Sequence, residues 1–201
     1  DGVFMNAHQV LSHIILHLVE DKKWKGAIVK TVALTFLIDS IAEKHKIKLY
    51  ETPVGFKHIC KLMREENILA GGEESGGFGF KNYVPERDGI LAGLLILEMM
   101  AYRKKSLTHI MEETEKEYGK FCYKREDCEY PEEKKKTLFE NLKKDTPKQL
   151  ASVSVKEFST KDGAKLICSD GSWLLYRLSG TEPILRIYVE ASSDMKVEAI
   201  M

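Results

Sequence analysis

The first half of the chain alternates short apolar runs with longer segments whose apolar residues recur every three or four positions. The short runs predict buried strands at residues 26–32, 47–50 and 68–70. The longer segments predict amphipathic helices at residues 6–20, 34–42 and 56–63. Strands that alternate with helices of this length indicate βαβ units and a parallel sheet.

Helical segments of a different character follow. Residues 90–102 are apolar on nearly every side, which predicts a helix that is buried all round. Ser106 is a typical N-cap for the next helix. Residues 124–144 carry a run of charges, with Pro131 at a helix start, and we interpret that run as the solvated face of a helix.

Beyond residue 152 the pattern changes to an alternation of apolar and polar residues, which is typical of β-strands. The alternating segments are residues 153–158, 165–168, 173–178 and 184–190. Asp170-Gly171, between two of them, is a strong signal for a two-residue hairpin turn. These strands predict a small antiparallel sheet.

The two patterns together predict an α/β fold with two domains. The first is expected to be an α/β/α layered domain with a mostly parallel sheet, and the second a smaller α+β domain with an antiparallel sheet. The change of pattern places the start of the second domain between residues 104 and 120. We draw the domains at residues 1–105 and 106–201.

Composition limits the classes of partner. Lys and Arg number 31, and Asp and Glu number 31, so the formal net charge is zero and neither a nucleic acid nor an acidic membrane is an expected partner. No apolar run approaches the roughly 20 residues that span a bilayer, and no secretion signal is visible. The four cysteines show no CxxC spacing, so we expect reduced thiols in a cytoplasmic protein. His13 and His17 lie one helical turn apart without a third ligand nearby, so no residue is assigned to a metal.

One stretch, residues 69–80, combines chemistry with backbone freedom. Five glycines in nine positions surround Glu73, Glu74 and Ser75. Carboxylates accept hydrogen bonds from sugar hydroxyls, and a serine hydroxyl can accept or donate them. A glycine cluster is equally typical of a flexible surface turn, so the composition of this stretch leaves both interpretations open.

The stretch also follows a predicted strand, as do Lys30-Thr31 and the turn Pro53-Val54-Gly55. In parallel sheets, ligands bind beyond the carboxyl ends of the strands. The three connections are therefore expected to lie along one edge of the sheet.

A second site-like loop separates the last two predicted strands, and its sequence is Arg177-Leu178-Ser179-Gly180-Thr181-Glu182-Pro183. A guanidinium offers a bidentate fork to phosphate, and successive backbone N–H groups in a turn form a nest for an anion. Ser, Gly, Thr and Pro are also ordinary turn residues. An anion site and a simple hairpin turn both remain possible on these residues alone.

The two loops in this order resemble the C-terminal half, the third and fourth domains, of the α-D-phosphohexomutases, the phosphoglucomutase/phosphomannomutase superfamily. Gly72-Glu73-Glu74-Ser75-Gly76 resembles the family's sugar-binding loop, and residues 177–183 resemble its phosphate-binding loop. The resemblance covers essentially the whole chain. It implies a reversible phosphoryl transfer between the 1- and 6-positions of a hexose, glucose or mannose, through a bisphosphorylated intermediate.

The resemblance also implies roles for particular residues. Glu73 and Ser75 would hold sugar hydroxyls, with Gly55 helping to read the sugar. Lys30 would stabilise charge or transfer a proton near the reacting oxygen. The residues that would hold the non-reacting phosphate are Arg177, Ser179, Gly180 and Thr181. Many family members carry His where this chain has Gly77.

In the family, a phosphoserine of the first domain donates the phosphoryl group, and an Asp-rich loop of the second domain holds Mg²⁺. Neither occurs in these residues, so we expect a fragment without mutase activity of its own. The implied partners are hexose phosphates and the N-terminal domains of the same polypeptide. The alternative is a non-catalytic module that uses the same fold to bind sugar phosphates or a protein.

Overall fold

The structure of the protein is a computed structural model, which describes residues 2, 4–131, 134–180 and 182–201, without the side chains of residues 135 and 136. The chain divides into two compact units, Asp1–Gly119 and Lys120–Met201. The second unit begins at the far end of the expected interval of residues 104–120 and beyond the boundary drawn at residue 105. The helix after Ser106 belongs to the first unit, where Tyr118 lies 3.3 Å from His45 through their Oη and Nε2 atoms.

The first unit contains alternating strands and helices, as the pattern predicts. Its elements are α1 (Ala7–Leu16), a π-helical turn (His17–Asp21), β1 (Ala27–Thr31), α2 (Leu37–Lys44), β2 (Leu49–Thr52), α3 (Phe56–Glu65), β3 (Ile68–Gly72), β4 (Phe78–Phe80), α4 (Gly89–Arg103) and α5 (Leu107–Tyr118). Three helices begin at side-chain caps on Asn6, Asp88 and Ser106. The cap bond from the Leu91 N–H group lowers the pKa of Asp88, because it stabilises the carboxylate form.

The strands of the first unit form a mostly parallel sheet, in agreement with the sequence. Within the described residues the strand order is β2-β1-β3-β4, with β1 parallel to β2 and to β3, and β4 antiparallel to β3. A Cβ added at Gly71 would lie 2.7 Å from Ile59 of α3, and one added at Gly72 would lie 2.7 Å from Leu11 of α1. Adjacent residues of a strand point to opposite faces, so α1 and α3 cover the two faces of the sheet.

Helix α4 does not have the burial that its apolar sequence predicts. Ala92, Leu95 and Met99 are buried, but Ile90 is 81 % exposed and Leu97 is 61 % exposed. Only one side of the helix packs inside the unit. The expectation of a helix buried all round is therefore wrong for this chain.

The second unit contains an antiparallel sheet, again as expected. Its elements are β5 (Cys122–Glu129), α6 (Lys135–Lys144), β6 (Gln149–Leu150), β7 (Val153–Ser159), β8 (Ala164–Cys168), β9 (Trp173–Leu178), β10 (Ile184–Ala191) and α7 (Asp194–Ile200). The strand order among the described residues is β5-β10-β9-β8-β7-β6. Strand β5 corrects the interpretation of residues 124–144 as helical, because β5 pairs with β10 along its whole length.

The core of the second unit lies between one face of this sheet and α7, with Leu166, Leu174, Val189 and Val197 at its centre. Asp170-Gly171 lies in the turn between β8 and β9, as predicted, but the loop is longer than two residues, because the Cys168 N–H group donates to the Ser172 carbonyl at 2.8 Å and residues 169–171 lie between them. Gly171 has a φ of 85°. None of the helices in the described parts of the chain is long and apolar enough to cross a membrane.

Candidate functional site

The carboxyl ends of the three parallel strands lie level with one another. Thr31 and Thr52, the last residues of β1 and β2, are paired in register, and Lys30 is in register with Gly72 at the end of β3. The connections that follow these strands therefore start at the same edge of the sheet. This confirms the expectation that they share one edge.

Glu73 joins two of these connections. It is 4 % exposed, and its Oε1 atom accepts a hydrogen bond of 2.9 Å from the Gly55 N–H group at the start of α3. The Glu73 N–H group donates to the Gly77 carbonyl at 3.0 Å, which closes the turn of residues 73–77, here called the Glu73 loop. A buried carboxylate thus fixes the loop after β3 to the loop after β2.

Glu74 joins the same loop to the end of β1. The Thr31 hydroxyl donates to Glu74 Oε2 at 2.9 Å. Ser75 lies at the exposed tip of the loop, followed by Gly76 with a φ of 94°, a conformation that favours glycine. The sequence interpretation considered the carboxylate of Glu74 only as an acceptor for sugar hydroxyls, and no local motif indicates its bond to a residue 43 positions away.

Lys30 is fully buried near the same edge, in an environment that the sequence does not indicate. Its Nζ atom is paired with Asp39 Oδ2, donates to the Thr35 carbonyl at 3.3 Å and lies 4.5 Å from the Phe36 ring centroid. A buried ammonium needs such partners, because desolvation without them is costly. The role of Lys30 toward a reacting oxygen stays a prediction.

Arg87 stands beside the Glu73 loop. Its Nη1 atom is 3.9 Å from Glu73 Oε2, and its guanidinium carbon is 5.8 Å from the Phe56 ring centroid. A Cβ added at Gly77 would lie 3.2 Å from Glu73 Oε2 and 3.3 Å from Arg87 Cδ. Arg87 and Glu73 thus occupy the space into which a side chain at position 77 would extend.

In the second unit, Arg177 lies near the end of β9, at the mouth of the loop of residues 179–183. Its Nε atom donates to Asp162 Oδ2 at 2.9 Å, and its side chain is 15 % exposed. Ser179 is buried, and its N–H group donates to the Ile184 carbonyl at 3.1 Å. Gly180 is exposed, while the predicted phosphate ligand Thr181 lies outside the described residues.

A second guanidinium lies on the neighbouring strand, at the position paired with Arg177. Arg186 of β10 is in register with Arg177 of β9, and its Nη2 atom is 3.3 Å from Glu182 Oε2. Two like charges in register repel each other, so the acidic partners Asp162 and Glu182 reduce that repulsion. The sequence interpretation missed Arg186, although it follows the loop by a few residues on an alternating strand.

A magnesium ion does not fit the residues that the structure describes. Within residues 2, 4–131, 134–180 and 182–201, no three side chains of His, Cys, Asp or Glu come together in a way that could hold a metal ion. His17, for example, contacts Asp21 through Nδ1 at 2.8 Å and Glu98 through Nε2 at 3.1 Å.

Comparison with known proteins agrees with these features. Residues 6–118 match the family described as phosphoglucomutase/phosphomannomutase, alpha/beta/alpha domain III, and residues 128–201 match the phosphoglucomutase/phosphomannomutase C-terminal domain. The chain therefore belongs to the phosphoglucomutase/phosphomannomutase family.

Individual relatives support the same assignment. A phosphoglucomutase/phosphomannomutase of Thermococcus kodakarensis is 36 % identical over 85 % of this chain and 35 % of its own length. A phosphoglucosamine mutase of Campylobacter curvus is 29 % identical over 100 % of this chain and 40 % of its own length. A Thermus thermophilus protein described as a phosphomannomutase superposes with a TM-score of 0.81 at 36 % identity, over 99 % of this chain and 40 % of its own. The chain thus spans well under half the length of the relatives it matches.

Proposed function

We propose that this chain is the hexose-phosphate-binding part of a phosphohexomutase that interconverts hexose 1-phosphate and hexose 6-phosphate. The observation that carries the proposal is the edge of the parallel sheet, where Glu73 and Glu74 connect the ends of all three parallel strands. Ser75, at the exposed tip of this loop, is available to a sugar hydroxyl. Membership in the mutase family supports the reaction class.

The loop of residues 177–183 is proposed to hold the non-reacting phosphate. Arg177 is fixed by Asp162, so its guanidinium is oriented before a ligand arrives. Gly180 is exposed and carries no side chain to obstruct the approach of an anion to the backbone. Thr181 keeps the role that the family resemblance implies.

The sugar is the less defined part of the proposal. Relatives are named both for glucose or mannose phosphates and for glucosamine phosphate. These sugars differ at carbon 2 and share their other ring hydroxyls. We propose that Glu73 and Ser75 hold hydroxyls common to all of them, with glucose and mannose phosphates as the first substrates to test.

We further propose that the chain alone does not catalyse the transfer. Phosphoryl transfer depends on positioning and on neutralisation of charge by cations. The described residues offer neither a metal cluster nor an assigned phosphoryl donor. Mg²⁺ and the phosphoserine are expected on the N-terminal domains that the family carries.

The test is an NMR titration of the ¹⁵N-labelled chain with glucose 1-phosphate, mannose 1-phosphate and glucosamine 1-phosphate. The amides of Gly55, Gly76 and Gly180 report on the three loops. The informative variants are Glu73→Gln and Arg177→Gln. Their matched controls are Glu65→Gln, an exposed carboxylate of α3, and Arg125→Gln on β5.

We expect weak saturable shifts that both site variants reduce and both controls retain. Shifts that the controls change as much as the site variants would refute the site assignment. An equal response to glucose, with no phosphate, would refute the role of Arg177. A coupled mutase assay of the chain with glucose 1-phosphate, glucose 1,6-bisphosphate and Mg²⁺ should give no turnover, and turnover would contradict the proposed inactivity.

A further inference from the structure

A cavity of about 590 Å³ opens at the other end of the parallel strands in the first unit. Three connections line it, and they lead into β1, β2 and β3: residues 19–27, 45–50 and 66–67. The cavity therefore lies at the amino ends of these strands, across the sheet from the Glu73 loop. Its volume falls within the roughly 300–1,000 Å³ that is usual for small-molecule sites.

Positive charge dominates the lining of this cavity. Its four lysines are exposed and come from two connections: Lys23, Lys25, Lys46 and Lys48. The acidic residue among the lining residues is Glu66, while His45 is held by Glu20 at 3.1 Å. Such a local excess is notable because the chain as a whole has a formal net charge of zero. The lysine cavity, as we call it, attracts anions.

An aromatic ring holds part of this positive charge in place. The Lys48 Nζ atom lies 4.3 Å from the Tyr50 ring centroid, and both residues line the cavity. A cation over an aromatic face is stabilised there, so this ammonium group rests against the wall of the cavity. Lys22, which lies over the half-buried Trp24 ring, is instead paired with Glu98 at 2.6 Å and is not one of the cavity's four lysines.

The backbone beneath the lysines is closely packed. A Cβ added at Gly26 would lie 2.8 Å from the Leu69 nitrogen and 2.9 Å from the Asn67 oxygen. The Ala27 N–H group donates to the Asn67 carbonyl at 2.8 Å, and the Ile28 N–H group donates to the Lys48 carbonyl at 2.9 Å. These bonds fix the lysine-bearing connections to the sheet, so the cavity is part of the rigid unit.

We propose that the lysine cavity binds a small molecule with two or more phosphate groups. Ammonium groups act as separate point charges, so several of them match an anion whose charge is spread over several phosphate oxygens. A single phosphate would neutralise fewer of the four lysines. The aromatic and aliphatic wall formed by Trp24, Ile47 and Val19 suits a compact ligand with an apolar part.

Trp24 provides a direct test, because it lines the cavity while Trp173, in the second unit, is fully buried. In a Trp173→Phe chain, the fluorescence of Trp24 is titrated with inorganic pyrophosphate at low ionic strength. We expect a saturable change, a weaker one with orthophosphate at matched ionic strength, and loss of binding as salt is added. Isothermal titration calorimetry of the Arg177→Gln chain, in which the proposed phosphate-binding loop has lost its guanidinium, measures the same binding without a fluorophore.

The variants are Lys46→Gln and Lys48→Gln, with Lys61→Gln on the exposed side of α3 as the matched control. Each cavity variant should raise the Kd for pyrophosphate about three-fold, and the double variant about ten-fold, as expected for partly exposed charge pairs. The control should leave it unchanged. Glu73→Gln should also leave it unchanged, since that residue lies at the opposite edge.

Several outcomes would overturn the proposal. Absence of both the fluorescence change and the heat of binding would do so, and so would equal binding by the double variant and the unaltered chain. A dependence on Glu73 would place the ligand at the Glu73 loop instead. Tighter binding of a single-stranded oligonucleotide than of pyrophosphate would favour a nucleic acid over a small molecule.

Discussion

Replacement of Glu73 separates two contributions of one buried carboxylate to the first unit. Its Oε1 atom accepts a 2.9 Å hydrogen bond from the Gly55 N–H group, and the side chain is 4 % exposed. Glu73→Gln keeps an oxygen that can accept this bond but removes the charge. Glu73→Ala removes both, and it leaves the Gly55 N–H group without that partner. The two variants should therefore differ in stability.

The magnitudes follow from the kind of bond that is lost. A hydrogen bond to a charged group contributes about 1.5–3 kcal/mol and a neutral one about 0.5–1.5 kcal/mol, so Glu73→Gln should cost about 1 kcal/mol. Glu73→Ala should cost about 2–3 kcal/mol, because the whole charged bond is lost. Arg87 adds little, since it is 3.9 Å away and 62 % exposed.

The assay is urea unfolding of the Trp173→Phe chain, in which Trp24 reports on the first unit alone. The control is Glu65→Ala at the end of α3, where an exposed carboxylate should change the free energy of unfolding by less than about 0.5 kcal/mol. Circular dichroism checks that the same transition is observed with and without the tryptophan substitution.

Two results would refute this account of Glu73. If Glu73→Ala unfolded at the same urea concentration as Glu65→Ala, the carboxylate would not be fixing the loop. If Glu73→Gln were as destabilised as Glu73→Ala, the charge alone would matter, and the bond to Gly55 would contribute nothing. A graded loss, with Gln between the unaltered chain and Ala, is the expected result.

Three further predictions concern packing and pH. Burial lowers the pKa of His13 below 6.5, the positive charge of Arg103 adds to this effect, and the hydrogen bond to Gln9 only partly offsets it. The unfolded chain therefore binds the proton more readily, so the free energy of unfolding should fall as the pH drops below about 6.5. Urea midpoints measured across that range should fall less steeply in His13→Gln. Leu95→Ala, at a buried position of α4, should lower the free energy of unfolding by about 2–4 kcal/mol. Leu94→Ala, at a position that is 57 % exposed, should lower it by less than about 1 kcal/mol in the same assay. Equal losses would contradict the one-sided burial of α4. Gly163 has a φ of 97°, and Gly163→Ala would place a Cβ 2.2 Å from the Tyr176 oxygen. The variant should therefore lose about 3 kcal/mol or more of stability in thermal unfolding followed by Trp173. Gly180→Ala, whose Cβ would have nothing within 4 Å, should leave the stability nearly unchanged.

The alternation of strands and helices was sufficient to predict the edge of the sheet where the three connections lie. That inference needs only the rule that parallel strands carry their ligands at the carboxyl ends. The hydrogen bonds that join the residues of this edge could not be predicted in this way. Glu73 meets a residue 18 positions earlier and Glu74 one 43 positions earlier, and such pairs depend on loop geometry rather than on any local pattern.

The glycines show how one composition serves two purposes. The sequence leaves open whether they let the backbone approach a ligand or form a flexible surface turn. Gly71 and Gly72 instead lie in β3, where a Cβ would collide with α3 on one face and α1 on the other. Gly76 alone in the stretch of residues 69–80 has the positive φ that a tight loop uses. A glycine cluster thus indicates close approach without saying whether a ligand or a helix approaches.

Burial was the least predictable property, because it depends on what surrounds an element. An apolar sequence predicts that α4 avoids water on all sides, yet only the side with Leu95 and Met99 meets the rest of its unit. The charges of β5 suggest a solvated helix, yet this edge strand pairs along its whole length with β10. Charged residues on an edge strand discourage further pairing, so a charge run is compatible with a strand.

The lysine cavity is likewise a feature that depends on which elements surround one another in the fold. In the sequence, Lys23, Lys25, Lys46 and Lys48 are ordinary exposed charges in two separate connections. The parallel topology brings those connections together, since β1 and β2 are neighbours and both begin at the same edge. A motif search favours the Glu73 loop, whose residues are contiguous, over a site assembled from separate connections. A site formed by the connections at the amino ends of parallel strands therefore does not stand out as a sequence motif, and it is found by mapping charged residues onto the strand order.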